Sequence, residues 1–193
     1  MADEPKFEAA VAEIEPPRRL PGDPGVDTPS MIRVDQAGEF GAARIYAGQL
    51  AVMGSRHPAA SEIARMKQQE QRHLDTFDRL MTERQVRPTL LSPFWDTAGF
   101  ALGAVTALMG PRAAMACTAA VETEIDRHYG EQQDALGDSD HELRAHIDDF
   151  RAEEQEHKET AIAHGAEDTF GYPVMSALIR AGCRVAIAAA KRI

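Results

Sequence analysis

From Met31 onward the chain places apolar residues three and four positions apart, the period of helices that bury one face. In the run MIRVDQAGEFGAARIYAGQLAVM, the residues Ile32, Gln36, Glu39, Ala43, Tyr46 and Leu50 share a face, and Ser30 stands where a helix cap belongs. The stretch from Gly54 to Pro58 ends this helix. A second runs from Pro58 or Ala59 to Arg84, with Ile63, Met66, Glu70, His73, Phe77 and Leu80 on one stripe, before Pro88 stops it. A third is predicted from about Pro111 to Leu136. A fourth runs from about Asp140 to His164, after the break Gly137-Asp138-Ser139-Asp140, with Gly165 near its end. Helices joined by short loops pack antiparallel, so the pattern predicts an all-α, four-helix bundle made of two hairpins.

Three stretches lie outside these helices. Residues 1–29 mix six prolines with acids and glycines and read as a mobile N-terminus, leaving 30–193 as one helical-bundle domain. An extra apolar segment from Pro93 to Gly110 separates the helix pairs, and a C-terminal amphipathic helix is expected within Tyr172 to Ile193.

Composition narrows the function. The 193 residues are 44% hydrophobic but only 6% aromatic, which suits Ala- and Leu-rich helices around one core. A net charge of -10 with scattered Arg and Lys excludes a nucleic-acid surface, which would form a basic stripe. Cys117 and Cys183 form no C-x-x-C pair, arguing against a disulfide framework or a zinc knuckle. Both lie in small-residue runs and read as small hydrophobes. The N-terminus lacks a signal-peptide core and is too acidic for a transit peptide, so a cytoplasmic, bacterial protein is expected.

The chemistry lies in a repeat. Glu70-Gln71-Arg72-His73 and Glu154-Gln155-Glu156-His157 each set a glutamate and a histidine one helical turn apart on the same face. Glu39 lies 31 residues before Glu70, and Glu122 lies 32 before Glu154. Aligning Glu39 with Glu122 also aligns Arg44 with Arg127 and Tyr46 with Tyr129. A duplicated hairpin packed about a pseudo-twofold axis brings one glutamate from each of two helices together with a Glu-x-x-His pair from each of the others, the ligand set of di-iron bundles. Two divalent ions would neutralise four carboxylates that could not otherwise be buried. The absence of thiolate favours iron or manganese over zinc.

Tyr46, Tyr129, Arg127 and Asp35 are further candidates to orient ligands, although core packing or a surface ion pair is the expected role for each. His128 reads as an ordinary core or surface histidine, and His57, His141, His146 and His164 receive no role.

Two features point toward lipid. Thr97 to Gly110 carries no charge but is too short to span a bilayer, leaving a buried helix or an interfacial segment, with Phe94 and Trp95 at its start. After Gly171 the tail holds Arg180, Arg184, Lys191 and Arg192 with no acid, a composition suited to anionic lipid.

The segments MIRVDQAGEFGAARIYAGQLAVM, MKQQEQRHLDTFDRLM, GFALGAVTALMG, AMACTAAVETEIDRHY, AEEQEH and AGCRVAIA, in this order and spacing, closely resemble the demethoxyubiquinone hydroxylase family of ubiquinone biosynthesis. The resemblance covers nearly everything from Met31 to Ala188. It implies a ferritin-like bundle in which Glu39, Glu70, His73, Glu122, Glu154 and His157 hold two Fe ions. It further implies an O2-dependent monooxygenase that hydroxylates a polyprenyl 3-methyl-6-methoxy-1,4-benzoquinol. Peripheral contact with the cytoplasmic face of the bacterial inner membrane, a lipid-binding accessory protein and NADH as electron source come with it. No nucleotide fingerprint of the G-x-G-x-x-G type stands in a βαβ setting, so NADH would act without the usual fold. Two rival readings share the ligand pattern: a ferritin-like iron-binding or ferroxidase protein, and a di-iron hydroxylase acting on a tRNA base. The apolar insert and basic tail argue against the first, and the lack of a basic surface against the second.

Overall fold

The computed structural model describes residues 26–55 and 57–193. The expectation for the acidic N-terminus therefore falls, over residues 1–25, outside the described residues. Six α-helices account for most of the rest: α1 (Thr28–Met53), α2 (Ala60–Glu83), α3 (Ser92–Leu108), α4 (Pro111–Leu136), α5 (His141–Ala163) and α6 (Tyr172–Ala190). A short 3-10 turn, Ala166–Asp168, links α5 to α6, and no strand occurs among the described residues.

Helices α1, α2, α4 and α5 form the all-α bundle that the periodicity predicts, with α1 against α2 and α4 against α5 as two hairpins. The duplication extends to the helix limits: α1 and α4 each span 26 residues. Each ends at a glycine with positive φ, Gly54 at +68° and Gly137 at +49°, a backbone state open to residues without Cβ. One cap differs from expectation. Asp27, not Ser30, caps α1, its carboxylate accepting from the Ser30 backbone N–H at 3.1 Å. The proline at Pro29 fits the first helical turn, where its missing N–H has no partner to lose, so the helix opens three residues earlier than predicted, at Thr28 rather than Met31.

The core has two apolar layers with a polar one between them. Toward one end Phe77, Leu80, Leu136, Leu143, Ile147 and Phe150 pack together. Toward the other Ile63, Met66, Met115, Ala116 and Ala161 do so. Along α2 the sequence of faces is legible residue by residue: Ile63 and Met66, then Glu70 and His73, then Phe77 and Leu80, all buried. Each fully buried large side chain contributes about 1.5–3 kcal/mol, and these layers stabilise a bundle whose middle is filled with acids.

The segment between the hairpins is a helix packed along one side only. Gly103, Thr106 and Ala107 are its buried residues, while Phe94, Val105, Leu108 and Met109 are exposed. It approaches α1 through glycines: a Cβ on Gly103 would meet the Ile45 carbonyl oxygen at 1.9 Å, and one on Gly48 the Phe100 carbonyl oxygen at 2.1 Å. Arg44 pins its start, pairing with Asp96 at 2.6 Å. Helix α6 lies on α4 and α1 in the same one-sided way, with Ile179 and Ala190 buried and Val174, Leu178 and Val185 exposed. It is long and apolar enough to cross a membrane, yet its inner face is tied to the bundle.

Candidate metal centre

All six side chains predicted to converge do converge, and each is at most 1% exposed. α1 carries Glu39, α2 Glu70 and His73, α4 Glu122, and α5 Glu154 and His157. They form two overlapping groups, Glu39–Glu70–His73–Glu154 and Glu70–Glu122–Glu154–His157, whose donor atoms lie within 4.8 Å of one another. Glu70 and Glu154 belong to both. Each group has the makings of a cation site, with Glu70 and Glu154 in common and its own glutamate and histidine besides.

The contacts cross between hairpins in pairs. His73 Nδ1 lies 3.1 Å from Glu154 Oε1, and His157 Nδ1 lies 3.2 Å from Glu70 Oε1. Tyr46 donates its hydroxyl to Glu122 Oε1 at 2.5 Å, and Tyr129 donates to Glu39 Oε1. This corrects the expected packing role of the two tyrosines: each holds the glutamate of the opposite hairpin. The aligned positions of the tyrosines were visible in the sequence, but a contact across 76 or 90 residues was not. Arg127 pairs with Glu124 and Glu131, away from the cluster, as expected of an ion pair. Asp35 is buried and accepts from Gln132 at 2.7 Å, with His128 Nε2 at 3.5 Å. Cys117 is buried and Cys183 half-buried, both free, and burial pushes each thiol up to about 12.

Both oxygens of Glu70, Oε2 of Glu122 and Oε1 of Glu154 are buried without a hydrogen-bond partner. Burial, together with the neighbouring carboxylates, pushes Glu70 and Glu122 well above the ordinary glutamate range. Burial also opposes ionisation of Glu154, but the His157 hydrogen bond to Oε2 and the His73 imidazole beside Oε1 outweigh it and draw its carboxyl down to about 2. Four orphaned oxygens on three buried acids are costly in an apolar core unless cations satisfy them. Carboxylate and imidazole donors with no thiolate suit iron or manganese.

Beside the cluster lies an apolar cleft of about 450 Å³ between α3 and α6, floored by α1 and α4. Gly38 and Val121, next in sequence to Glu39 and Glu122, line it with Gly41, Leu102, Leu178 and Cys183. A Cβ on Gly38 or Gly41 would meet nothing within 4 Å, so these positions leave the cleft open. The periodicity gave no warning of this cleft. The available signal was glycine inside a helix, where it costs roughly 1 kcal/mol relative to alanine and so calls for a reason.

A buried, doubled carboxylate–histidine cluster inside a four-helix bundle defines the class of ferritin-like metal-binding proteins. Within it the chain belongs to the COQ7 family: residues 27–190 match the family described as ubiquinone biosynthesis protein COQ7. It is 52% identical over 179 residues to the 3-demethoxyubiquinol 3-hydroxylase of Rhodospirillum rubrum, covering 91% of this chain and 84% of that protein. It is 49% identical over 167 residues to the human NADPH-dependent 3-demethoxyubiquinone 3-hydroxylase, mitochondrial, covering 84% and 76%. A 43% identity over 179 residues links it to the mitochondrial 5-demethoxyubiquinone hydroxylase of Saccharomyces cerevisiae, covering 84% and 77%.

Proposed function

We propose that the protein is a di-iron monooxygenase that hydroxylates the ring of a polyprenyl demethoxyubiquinol with O2; its relatives are named as hydroxylases of demethoxyubiquinol or demethoxyubiquinone. The observation that carries this reading is the pairing of a buried acid–histidine cluster with an apolar cleft one residue from two of its glutamates. Glu39, Glu70, His73, Glu122, Glu154 and His157 are the residues that would hold two iron ions, Glu70 and Glu154 belonging to both groups of donors. When bound, the irons supply the activation of oxygen. The chain's own residues do the rest. Tyr46 and Tyr129 fix Glu122 and Glu39, Phe150 stacks on the His73 ring at 4.0 Å, and the apolar layers on either side keep water from the centre. The cleft, lined mostly by small and aliphatic residues, is suited to a prenylated ring.

Location and partners follow from the outer faces of α3 and α6. Phe94 and Leu108 on α3, Val174 and Leu178 on α6 and Phe170 just before α6 are exposed, a greasy surface suited to drawing a lipid substrate from a bilayer. We assign the protein to the cytoplasmic face of the bacterial inner membrane as a peripheral enzyme, helped by the lipid-binding accessory protein that the family resemblance implies. Reducing equivalents come from a reduced nicotinamide, NADH in our reading; NADPH, named for the human relative, is the direct comparison.

The test is a reaction under 18O2 with iron-loaded protein, a short-chain demethoxyubiquinol, and NADH or NADPH. One labelled oxygen on the ring is expected. Oxidation of iron with no labelled quinol would instead point to iron handling.

A further inference from the structure

The internal repeat runs past the six acids and histidines, and there it breaks. On α5 the residue before Glu154 is Glu153, while on α2 the residue before Glu70 is Gln69. Both reach across the bundle to the opposite hairpin's histidine. His73 Nε2 lies 3.0 Å from Glu153 Oε2, and His157 Nε2 lies 3.1 Å from Gln69 Oε1. In both histidines Nδ1 faces the buried carboxylates, so Nε2 is the nitrogen left to donate outward. One imidazole therefore donates to a carboxylate and the other to an amide.

The surroundings widen the difference. Arg65 also donates to Gln69 Oε1, at 2.8 Å, which fixes that atom as the oxygen and divides it between two donors. Arg72 donates instead to Glu153 Oε1, leaving Oε2 to His73 alone. The next layer is unequal in the same sense. Gln132 donates to Asp35 at 2.7 Å, whereas its repeat partner Gln49 faces Thr118 Oγ1 at 3.4 Å. Asp35 stands on the helix of Glu39, four residues away, and Thr118 on the helix of Glu122, also four residues away.

On the di-iron reading proposed above, we infer that the two metal positions are inequivalent, and that Glu153 and Gln69 are the positioning residues that make them so. A hydrogen bond to a carboxylate is about twice as strong as one to a neutral acceptor, and it makes the donating imidazole a stronger ligand. The metal held by Glu39 and His73 is the more electron-rich of the two, binds more tightly and is oxidised first. Both halves of the repeat present the same acids and histidines, and the Glu153–Gln69 difference just outside them separates their roles.

The experiment is anaerobic titration of the full chain with 57Fe(II), read by binding affinity and by Mössbauer spectroscopy, in wild type and in Glu153→Gln and Gln69→Glu. Wild type is expected to bind iron in two separable steps and to give two quadrupole doublets of equal area. Glu153→Gln weakens the tight step about 10-fold, the lower end of what such outer partners contribute, and draws the doublets together. Gln69→Glu tightens the weak step and draws them together from the other side. It still reports if Glu153→Gln loses its iron. Two irons in wild type with a single doublet overturn the inference and leave the di-iron reading intact. Doublets equally far apart in wild type and both variants overturn it as well, because a merely structural role would alter affinity alone. A wild type that takes up no iron defeats the di-iron reading itself.

Discussion

The inner bundle and the outer layer of α3 and α6 each invert the ordinary rule of folding. The bundle buries four carboxylates at no more than 1% exposure, while the layer leaves Phe94 60%, Leu108 74% and Phe170 fully exposed. Hidden charge and displayed grease are both unfavourable for an isolated molecule. On the function proposed above, cations offset the first and a lipid the second. The two faults lie back to back, joined by α1 and α4, which carry Glu39 and Glu122 inward and floor the apolar cleft outward.

If the division is real, each region breaks separately. Chelation should strike the bundle hardest. Restoring ferrous iron to a hundredfold above its Kd should return about 2.7 kcal/mol of stability for each site filled, read from denaturant midpoints with and without metal. Gly103→Ala should strike the layer, because its Cβ collides with the Ile45 backbone. A loss of about 1–3 kcal/mol is expected, with the iron-to-protein ratio unchanged. Iron lost along with α3 would show the regions to be one unit. Gly41→Ala adds bulk to the cleft at a position where a Cβ meets nothing within 4 Å, so KM for the quinol should rise, by up to roughly 10-fold, while both irons stay. Tyr46→Phe and Tyr129→Phe act on the bundle alone and, given their reciprocal contacts, should weaken iron binding by similar factors near 10-fold.

The smallest effect belongs to the fastening between the regions. Glu124, fully buried on α4, accepts from Arg180 at 2.7 Å and Arg184 at 2.9 Å, holding α6 down. Burial raises its pKa, but the bonds to Arg180 and Arg127 more than offset this, and the carboxyl sits below its ordinary value of 4.5. A depressed carboxyl contributes stability that is present above that value and fades as pH falls through the folded-state pKa. Melting temperature against pH should therefore drop less steeply in acid for Glu124→Gln than for wild type. Parallel curves would mean the clasp adds nothing.

Sequence carried much of this division because its signals were local. Helical spacing set Glu70 beside His73 and Glu154 beside His157, and the 83-residue offset between Glu39 and Glu122 brought the hairpins into register. Pro111 and the glycine at 137 marked the limits of α4 to the residue. Asp27 and Pro29 read as part of the proline-rich N-terminus, whereas proline is at home in a first turn and Asp27 caps it. The reach of Tyr46 to Glu122, of Gln69 to His157 and of Glu153 to His73 stayed hidden, since each depends on how two helices distant in sequence are rotated. The cleft was hidden for a related reason: it is defined by side chains that Gly38 and Gly41 do not have.

The central claim is that six buried side chains hold two irons, and its most direct test is the iron content of protein reconstituted anaerobically, alongside Glu154→Ala. The account predicts two irons per chain in wild type and neither bound in the variant, because Glu154 belongs to both groups. Wild type that retains no iron, or a variant that retains as much as wild type, would contradict it.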